Sequence, residues 1–265
     1  MPPPPDLPQY SAAKVLLIWA AAAVPMPVLA FWGAPRLAPL TNVPLPLMIW
    51  IVLIAGMAWQ FVLSLILLAP EAAAARHTGW APRLWLRLPQ AEGDSRPSAR
   101  PLWWLLPIIA LGVLIEQTVL ADWLAWPLRH LIPALEQVPA PRLEELASLG
   151  MEGKWWILGL GLLSCLFNYA LGEELLFRGV LLPRMRGAFG RWDWLANALL
   201  FGAYHLIRPL TIPAIMLSGM LWTYPARRWR SIWFALIPHG LEGVFMLGMI
   251  TAGVLGAFAT GLPAP

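Results

Sequence analysis

Apolar runs long enough to cross a lipid bilayer alternate with short polar segments along this chain of 265 residues. A helix of about 20 apolar residues spans the hydrocarbon core of a membrane. By that length, the pattern predicts spans at about 13–31, 45–68, 102–120, 155–182, 192–207 and 210–224. The last run, 231–262, is too long for one span, and Gly240, Gly243 and Gly248 predict a break between two. The pattern therefore predicts an all-α, polytopic transmembrane helical bundle of about eight spans.

The first run also has features of a secretory signal peptide, because Lys14 precedes it. Its length, its internal Pro25 and Pro27, and the weak cleavage signal after it favour a retained first span. On this interpretation residues 1–153 carry three N-terminal spans. Residues 154–262 then form the core of the remaining helices.

Positively charged loops give the helices a predicted orientation. Arginines cluster after the second, fourth and sixth predicted spans, and positive loops stay on the cytoplasmic side. This makes loop 70–100 and both termini cytoplasmic in a multi-pass protein of the cytoplasmic (inner) cell membrane. Segment 121–153 falls on the outer side, where an interfacial helix and a plain connecting loop both fit it. The clustered arginines are Arg76, Arg83, Arg87, Arg96, Arg100, Arg184, Arg186, Arg191, Arg227, Arg228 and Arg230.

Composition supports the membrane prediction and excludes other classes of protein. The chain is 59% hydrophobic and 12% charged, whereas a soluble domain has about 25% charged residues. Many of its 17 tryptophans lie near the ends of apolar runs, where such rings favour the membrane interface. The expected partner is therefore the lipid bilayer. The net charge of +4 comes from the arginine-rich loops, and without a basic stretch interleaved with aromatic residues it does not indicate nucleic-acid binding.

Ionisable side chains within the apolar runs mark the candidate site, since such groups are costly in a membrane and usually face the bundle interior. Glu174 and Arg178 are four residues apart, so they share one helix face and can form an ion pair. Glu173 points about 100° away from Glu174. We therefore interpret Glu174 and Arg178 as a supporting pair and Glu173 as free to face another helix. Glu116, alone in the third predicted span, is interpreted as a structural hydrogen-bonding group, with a cavity-lining role as the alternative.

His205 and His239 lie on two further predicted helices that can approach Glu173. A glutamate with a histidine can activate water as a general base, and a histidine can also stabilise an oxyanion. Three alternatives stay open from spacing alone: structural hydrogen bonds between helices, proton or ion transport, and a zinc site formed by Glu173, His205 and His239. The chain has no His-Glu-x-x-His zinc signature. Ser218-Gly219 has no glycine two residues before the serine, which disfavours a serine protease.

Three motifs occur in order on predicted spans: Glu173-Glu174-x-x-x-Arg178, Phe201-x-x-x-His205 and the later His239. Over about residues 155–247 this arrangement resembles the CaaX-protease and bacteriocin-processing (CPBP) family, also called type 2 CAAX prenyl proteases. The resemblance implies an intramembrane glutamic endopeptidase without a cofactor, zinc being the minority alternative. The substrate would be a peptide or membrane protein near the bilayer.

The resemblance also implies a role for each matched residue. Glu173 would activate water with the help of His205, while Glu174 and Arg178 hold the site. His239 would help to stabilise the oxyanion. Phe201 belongs to the supporting residues through its place in the second motif.

The chain departs from the family pattern at Gly243, where the family places Asn or Asp four residues after the last histidine. Glycine offers no side-chain donor, and losing one oxyanion donor costs about 10²–10³ in rate. Glu242 is anionic and lies about 100° off that face, so it is a poor substitute. The departure leaves open a slow enzyme, a rearranged site, or a degenerate relative acting as a membrane scaffold or chaperone. A small transporter using the same charges is the further alternative.

Overall fold

The computed structural model describes residues 7–91, 96–138 and 150–257, and these residues confirm the all-α prediction, since they contain helices and no strand. A helix satisfies its own backbone hydrogen bonds, as an apolar segment in a bilayer requires. In chain order the main helices are α1 (Ala12–Thr41), α2 (Leu45–Thr78), α3 (Arg100–Glu116), α4 (Val119–Leu131), α5 (Trp155–Arg184), α6 (Asp193–Tyr204), α7 (Ile212–Arg228) and α8 (Trp233–Val254). Short helical turns occur at Pro133–Gln137, Arg186–Phe189, Gly190–Trp192 and Pro209–Thr211.

Fewer helices are long enough to cross a membrane than the apolar pattern predicted. By length and composition α1, α2, α5 and α8 qualify. The pair α3 and α4 is bent by 49° and adds a fifth span if the two helices count as one. The described part of the chain therefore has four or five candidate spans, whereas the sequence predicted about eight.

The prediction of two spans within 231–262 was wrong for the described residues. Residues Trp233–Val254 form one continuous helix of 22 residues, and 258–262 lie outside the described residues. Gly240, Gly243 and Gly248 do not break it. A glycine costs a helix only about 1 kcal/mol relative to alanine, a cost that packing of the helix can offset.

Helices α6 and α7 correspond to the predicted spans 192–207 and 210–224, but both are short. They contain 12 and 17 residues, which at 1.5 Å per residue gives lengths of about 18 and 26 Å. The hydrocarbon core is about 30 Å thick. A Cβ at Gly202 would lie 2.9 Å from the Met216 backbone nitrogen, so the two helices are packed closely as a hairpin.

The three arginine-rich loops meet at one end of the bundle. The Gln90 backbone N–H donates to the Trp229 carbonyl at 2.8 Å, and that of Ile232 donates to the Trp85 carbonyl at 2.9 Å. The Tyr10 N–H donates to the Arg184 carbonyl at 2.8 Å. The first two bonds join the loops that follow α2 and α7, and the third joins the N-terminal segment to the end of α5.

The last described residues lie at the other end of the bundle. The Gly153 N–H donates to the Val254 carbonyl at 2.9 Å, next to the start of α5, whereas Tyr10 lies at its end. The whole length of α5 therefore separates the two ends of the described chain. The prediction that both termini share one side assumed a further crossing after residue 231, and the single helix α8 removes that crossing.

Some of the clustered arginines are buried in ion pairs. The Glu71 carboxylate accepts hydrogen bonds from Arg83 Nε at 2.9 Å and from Arg184 Nε at 2.8 Å. Asp193 pairs with Arg227 at 2.6 Å. Arg83 and Arg184 are 3% and 0% exposed, so they fasten the end of α2 to the end of α5 and are not solvated loop charges.

Candidate active site

The motif helix α5 changes its winding on both sides of the two glutamates. Phe167–Gly172 and Leu175–Leu181 are π-helical, and Glu173 and Glu174 lie between these segments. A Cβ at Gly172 would lie 2.8 Å from the Met57 carbonyl oxygen, so only glycine lets α2 approach so closely. Short π-helical turns occur frequently at functional sites, and nothing in the sequence indicated them.

Glu174 and Arg178 form the ion pair that their spacing predicts. Arg178 Nη1 donates to Glu174 Oε1 at 2.9 Å, and both side chains are fully buried. The Arg178 guanidinium also lies 3.7 Å from the centre of the Phe201 ring. The pair and this ring join α5 to α6.

His239 approaches both glutamates from α8. Its Nδ1 lies 3.0 Å from Glu174 Oε1, and its Nε2 lies 3.7 Å from Glu173 Oε2. A carboxylate only accepts hydrogen bonds, so the short contact assigns a proton to Nδ1. Glu174 thereby orients His239 so that Nε2 faces Glu173.

Three aromatic rings surround the His239 imidazole. The rings of Tyr169, Phe201 and Trp222 lie 4.8, 6.0 and 5.7 Å from it, measured between ring centres. Tyr169 and Phe201 meet the imidazole nearly edge-on. These contacts hold the imidazole plane in the orientation that the Glu174 hydrogen bond selects.

His205 makes its short polar contact to the backbone of α6. It follows the last residue of α6, and its Nδ1 lies 3.0 Å from the Phe201 carbonyl oxygen. Its ring meets Phe201 edge-on at 5.0 Å. Within the described residues no hydrogen bond or ion pair joins His205 to Glu173. The histidine that faces Glu173 is therefore His239, and His205 adjoins the site through Phe201.

Two buried residues that the sequence analysis did not select also belong to the site. Gln60 Nε2 donates to the Tyr204 hydroxyl at 2.7 Å, and this hydroxyl interacts with the Glu173 carboxylate. Gln60 is a polar side chain in a run without charges, and that signal could have identified it. Tyr204 gave no such signal, because tyrosine is common at the ends of apolar helices.

Several buried polar atoms of the site have no hydrogen-bond partner among the described residues. They are Glu173 Oε2, Glu174 Oε2, Arg178 Nε and Nη2, Gln60 Oε1 and Trp222 Nε1. An unpaired buried polar group costs about 1–3 kcal/mol, and native structures contain few of them. Their concentration around Glu173 leaves donors and acceptors available to a ligand.

Comparison with known families decides the relationship suggested by the three motifs. Residues 154–245 match the family described as "Type II CAAX prenyl endopeptidase Rce1-like". The match includes Glu173, Glu174, Arg178, His205 and His239. Over this segment the chain is similar to the type II CAAX prenyl endopeptidase family. No match is found among curated proteins or among solved structures.

The match to the type II CAAX prenyl endopeptidase family confirms the resemblance to CPBP proteins over α5, α6, α7 and the first part of α8. Together with the long apolar helices, it makes the chain a multi-pass membrane protein related to proteases. Residues before 154 lie outside the match. Among the described residues, no group of three or more His, Cys, Asp or Glu side chains has an arrangement that could hold a metal ion.

The departure from the CPBP pattern at Gly243 has a structural counterpart in Tyr169. A Cβ at position 243 would lie 2.5 Å from Tyr169 Cδ2 and 2.8 Å from its Cε2. The thiol of Cys165 donates to the Gly243 carbonyl oxygen at 3.4 Å. The tyrosine ring therefore occupies the space that an asparagine or aspartate side chain would need.

Proposed function

We propose that the protein is an intramembrane endopeptidase that hydrolyses a peptide bond near the membrane with water activated by Glu173. The observation that carries the proposal is the buried Glu173 carboxylate, which faces His239 Nε2 within the segment that matches the type II CAAX prenyl endopeptidase family. The substrate is a peptide or a membrane protein. A prenylated CAAX peptide, the class in the family's name, is the first probe to use.

The contacts of the two glutamates support different roles for them. Glu174 already accepts hydrogen bonds from Arg178 and His239, so its carboxylate is occupied. Glu173 Oε2 has no hydrogen-bond partner among the described residues, which leaves it available to accept a proton from water. Glu174 and Arg178 accordingly support the site, and Glu173 acts as the general base.

The reaction then follows from these positions. The water oxygen attacks the scissile carbonyl carbon while Glu173 takes a water proton. The carbonyl oxygen becomes an oxyanion, and His239 Nε2 donates a hydrogen bond to it when both ring nitrogens carry protons. The C–N bond breaks as the proton on Glu173 passes to the leaving amine, which regenerates the carboxylate.

His205 is the second histidine of the proposal. Because its Nδ1 donates to the Phe201 carbonyl, its Nε2 carries a free lone pair. We assign to this atom the orientation of the attacking water beside Glu173. Phe201 holds both histidines, since its ring contacts His205 at 5.0 Å and His239 at 6.0 Å.

The first test measures the rate at which wild type and Glu173→Gln cleave a fluorescence-quenched farnesylated CAAX peptide in liposomes. The second test compares the membrane proteomes of cells that produce each protein. Loss of a general base lowers the rate about 10²–10⁴-fold. Glu116→Gln, which removes a partly buried carboxyl group of α3, is the control and should keep the wild-type rate. Equal cleavage by wild type and Glu173→Gln, or cleavage of no substrate by wild type in either assay, would contradict the proposal.

A further inference from the structure

Gly243 and Tyr169 form a complementary contact between α8 and α5 beside His239. The missing side chain at Gly243 accommodates the edge of the tyrosine ring, since a Cβ there would lie 2.5 Å from Cδ2. The same ring lies 4.8 Å from the His239 imidazole at an interplanar angle of 86°. Tyr169 therefore fills a place on the face of α8 that lies one helical turn after His239.

The phenol of Tyr169 also belongs to the electrostatic surroundings of the site. It interacts with the carboxylates of Glu173 and Glu242, and its side chain is half-buried. Glu242 itself is exposed, and its carboxyl group offers a developing oxyanion no stabilising charge. Tyr169 instead carries a neutral O–H donor, on a ring whose centre lies 4.8 Å from that of His239, the histidine proposed to face the substrate oxygen.

We infer that Tyr169 donates the second oxyanion hydrogen bond of this site, in the place that Gly243 leaves without a donor. The inference rests on the proposed peptidase function. Tyrosine hydroxyls serve as oxyanion donors in other enzymes, and the step transfers no proton. The O–H hydrogen-bonds to the tetrahedral oxygen while His239 Nε2 donates from the other side. The pairing of Gly243 with Tyr169 thus substitutes for a donor on α8 itself.

Tyr169→Phe tests the hydroxyl while keeping the ring. We expect kcat to fall about 10²–10³-fold, as for the loss of one oxyanion donor, with KM and the thermal unfolding temperature unchanged. Cys165→Ala is the matched control, because Cys165 also contacts Gly243 but has no part in the reaction. It should keep the wild-type kcat. An unchanged kcat in Tyr169→Phe would overturn the assignment.

A reciprocal exchange tests the position of the donor. Gly243→Asn alone collides with the Tyr169 ring, and Tyr169→Ala alone removes the donor, so both single variants should lose at least about 10²-fold in kcat. Tyr169→Ala/Gly243→Asn restores space and a donor together, and its kcat should exceed that of each single variant at least tenfold. A double variant no faster than the slower single variant would count against the donor role.

Glu173→Gln, measured beside these variants on the substrate that wild type cleaves, separates the two hypotheses. If Glu173→Gln is inactive while Tyr169→Phe and the exchange variants keep wild-type kcat, only the assignment of Tyr169 fails. If Glu173→Gln keeps full activity, or wild type cleaves nothing, the peptidase proposal fails and the Tyr169 inference fails with it.

Discussion

At the scale of single residues, Glu174 contacts both a cation of its own helix and a histidine of another helix. Its Oε1 accepts from Arg178 at 2.9 Å and lies 3.0 Å from His239 Nδ1. The three side chains come from two helices and are buried. Glu174 therefore determines both the stability of the α5–α8 contact and the orientation of the histidine.

Glu174→Gln should lower the free energy of unfolding by about 3–5 kcal/mol, because it leaves the Arg178 charge buried without its partner. Denaturant titration in detergent measures this change. Glu174→Gln/Arg178→Met removes both charges, and it should be less destabilised than the sum of the two single variants. If the loss of stability in the double variant equals the sum of the losses in the two single variants, the pair is not coupled.

The local part of the site was predictable from the sequence, and the part that depends on packing was not. The Glu174–Arg178 pair follows from a four-residue spacing on one helix. The contact of His239 with Glu174 joins residues 65 positions apart in the chain, and no spacing rule covers such a distance. The same holds for Tyr169, which lies in an apolar stretch and becomes significant only because Gly243 faces it.

At the scale of helices, α8 shows why eight spans were predicted and fewer were found. Its glycines favoured a break by composition, but the structure keeps them in one helix of 22 residues. A Cβ at Gly240 or Gly248 would meet no atom within 4 Å, whereas one at Gly243 would meet Tyr169 at 2.5 Å. Alanine substitutions at these three glycines therefore compare a packed position with two open positions in the same helix.

Gly240→Ala and Gly248→Ala should leave stability unchanged or raise it by up to about 1 kcal/mol, because alanine favours a helix over glycine. Gly243→Ala should lower it by about 1–3 kcal/mol through overpacking against Tyr169. Thermal unfolding of the three variants in one detergent measures the order. Destabilisation by Gly240→Ala or Gly248→Ala would indicate a break in α8 at that glycine.

At the scale of the whole molecule, buried ion pairs hold helices and loops together at the end of the bundle where the arginine-rich loops meet. Glu71 of α2 binds Arg83 and Arg184, and Asp193 of α6 binds Arg227 of α7. The sequence indicated that these loops share one side through their charge. It did not indicate the pairing, since Glu71 reaches Arg184 across 113 positions of the chain.

The orientation predicted from these arginines can be measured by labelling single cysteines in a Cys165→Ala background. Ala99→Cys lies near the arginine-rich end and Lys154→Cys at the start of α5, and both positions are exposed. In intact cells a membrane-impermeant maleimide should label Lys154→Cys and spare Ala99→Cys, because positive loops stay cytoplasmic. Labelling of both from outside, or of Ala99→Cys alone, would contradict this orientation.

The role of Glu173 in activating the water that cleaves a peptide bond is tested by single-turnover cleavage rates in liposomes of wild type, Glu173→Gln and Glu116→Gln. Thermal unfolding of the same samples verifies that all three proteins are folded. Glu173→Gln should be slower than wild type by about 10²–10⁴-fold, because it lacks the general base, and Glu116→Gln should match wild type. A folded Glu173→Gln protein that cleaves at the wild-type rate would contradict this role of Glu173.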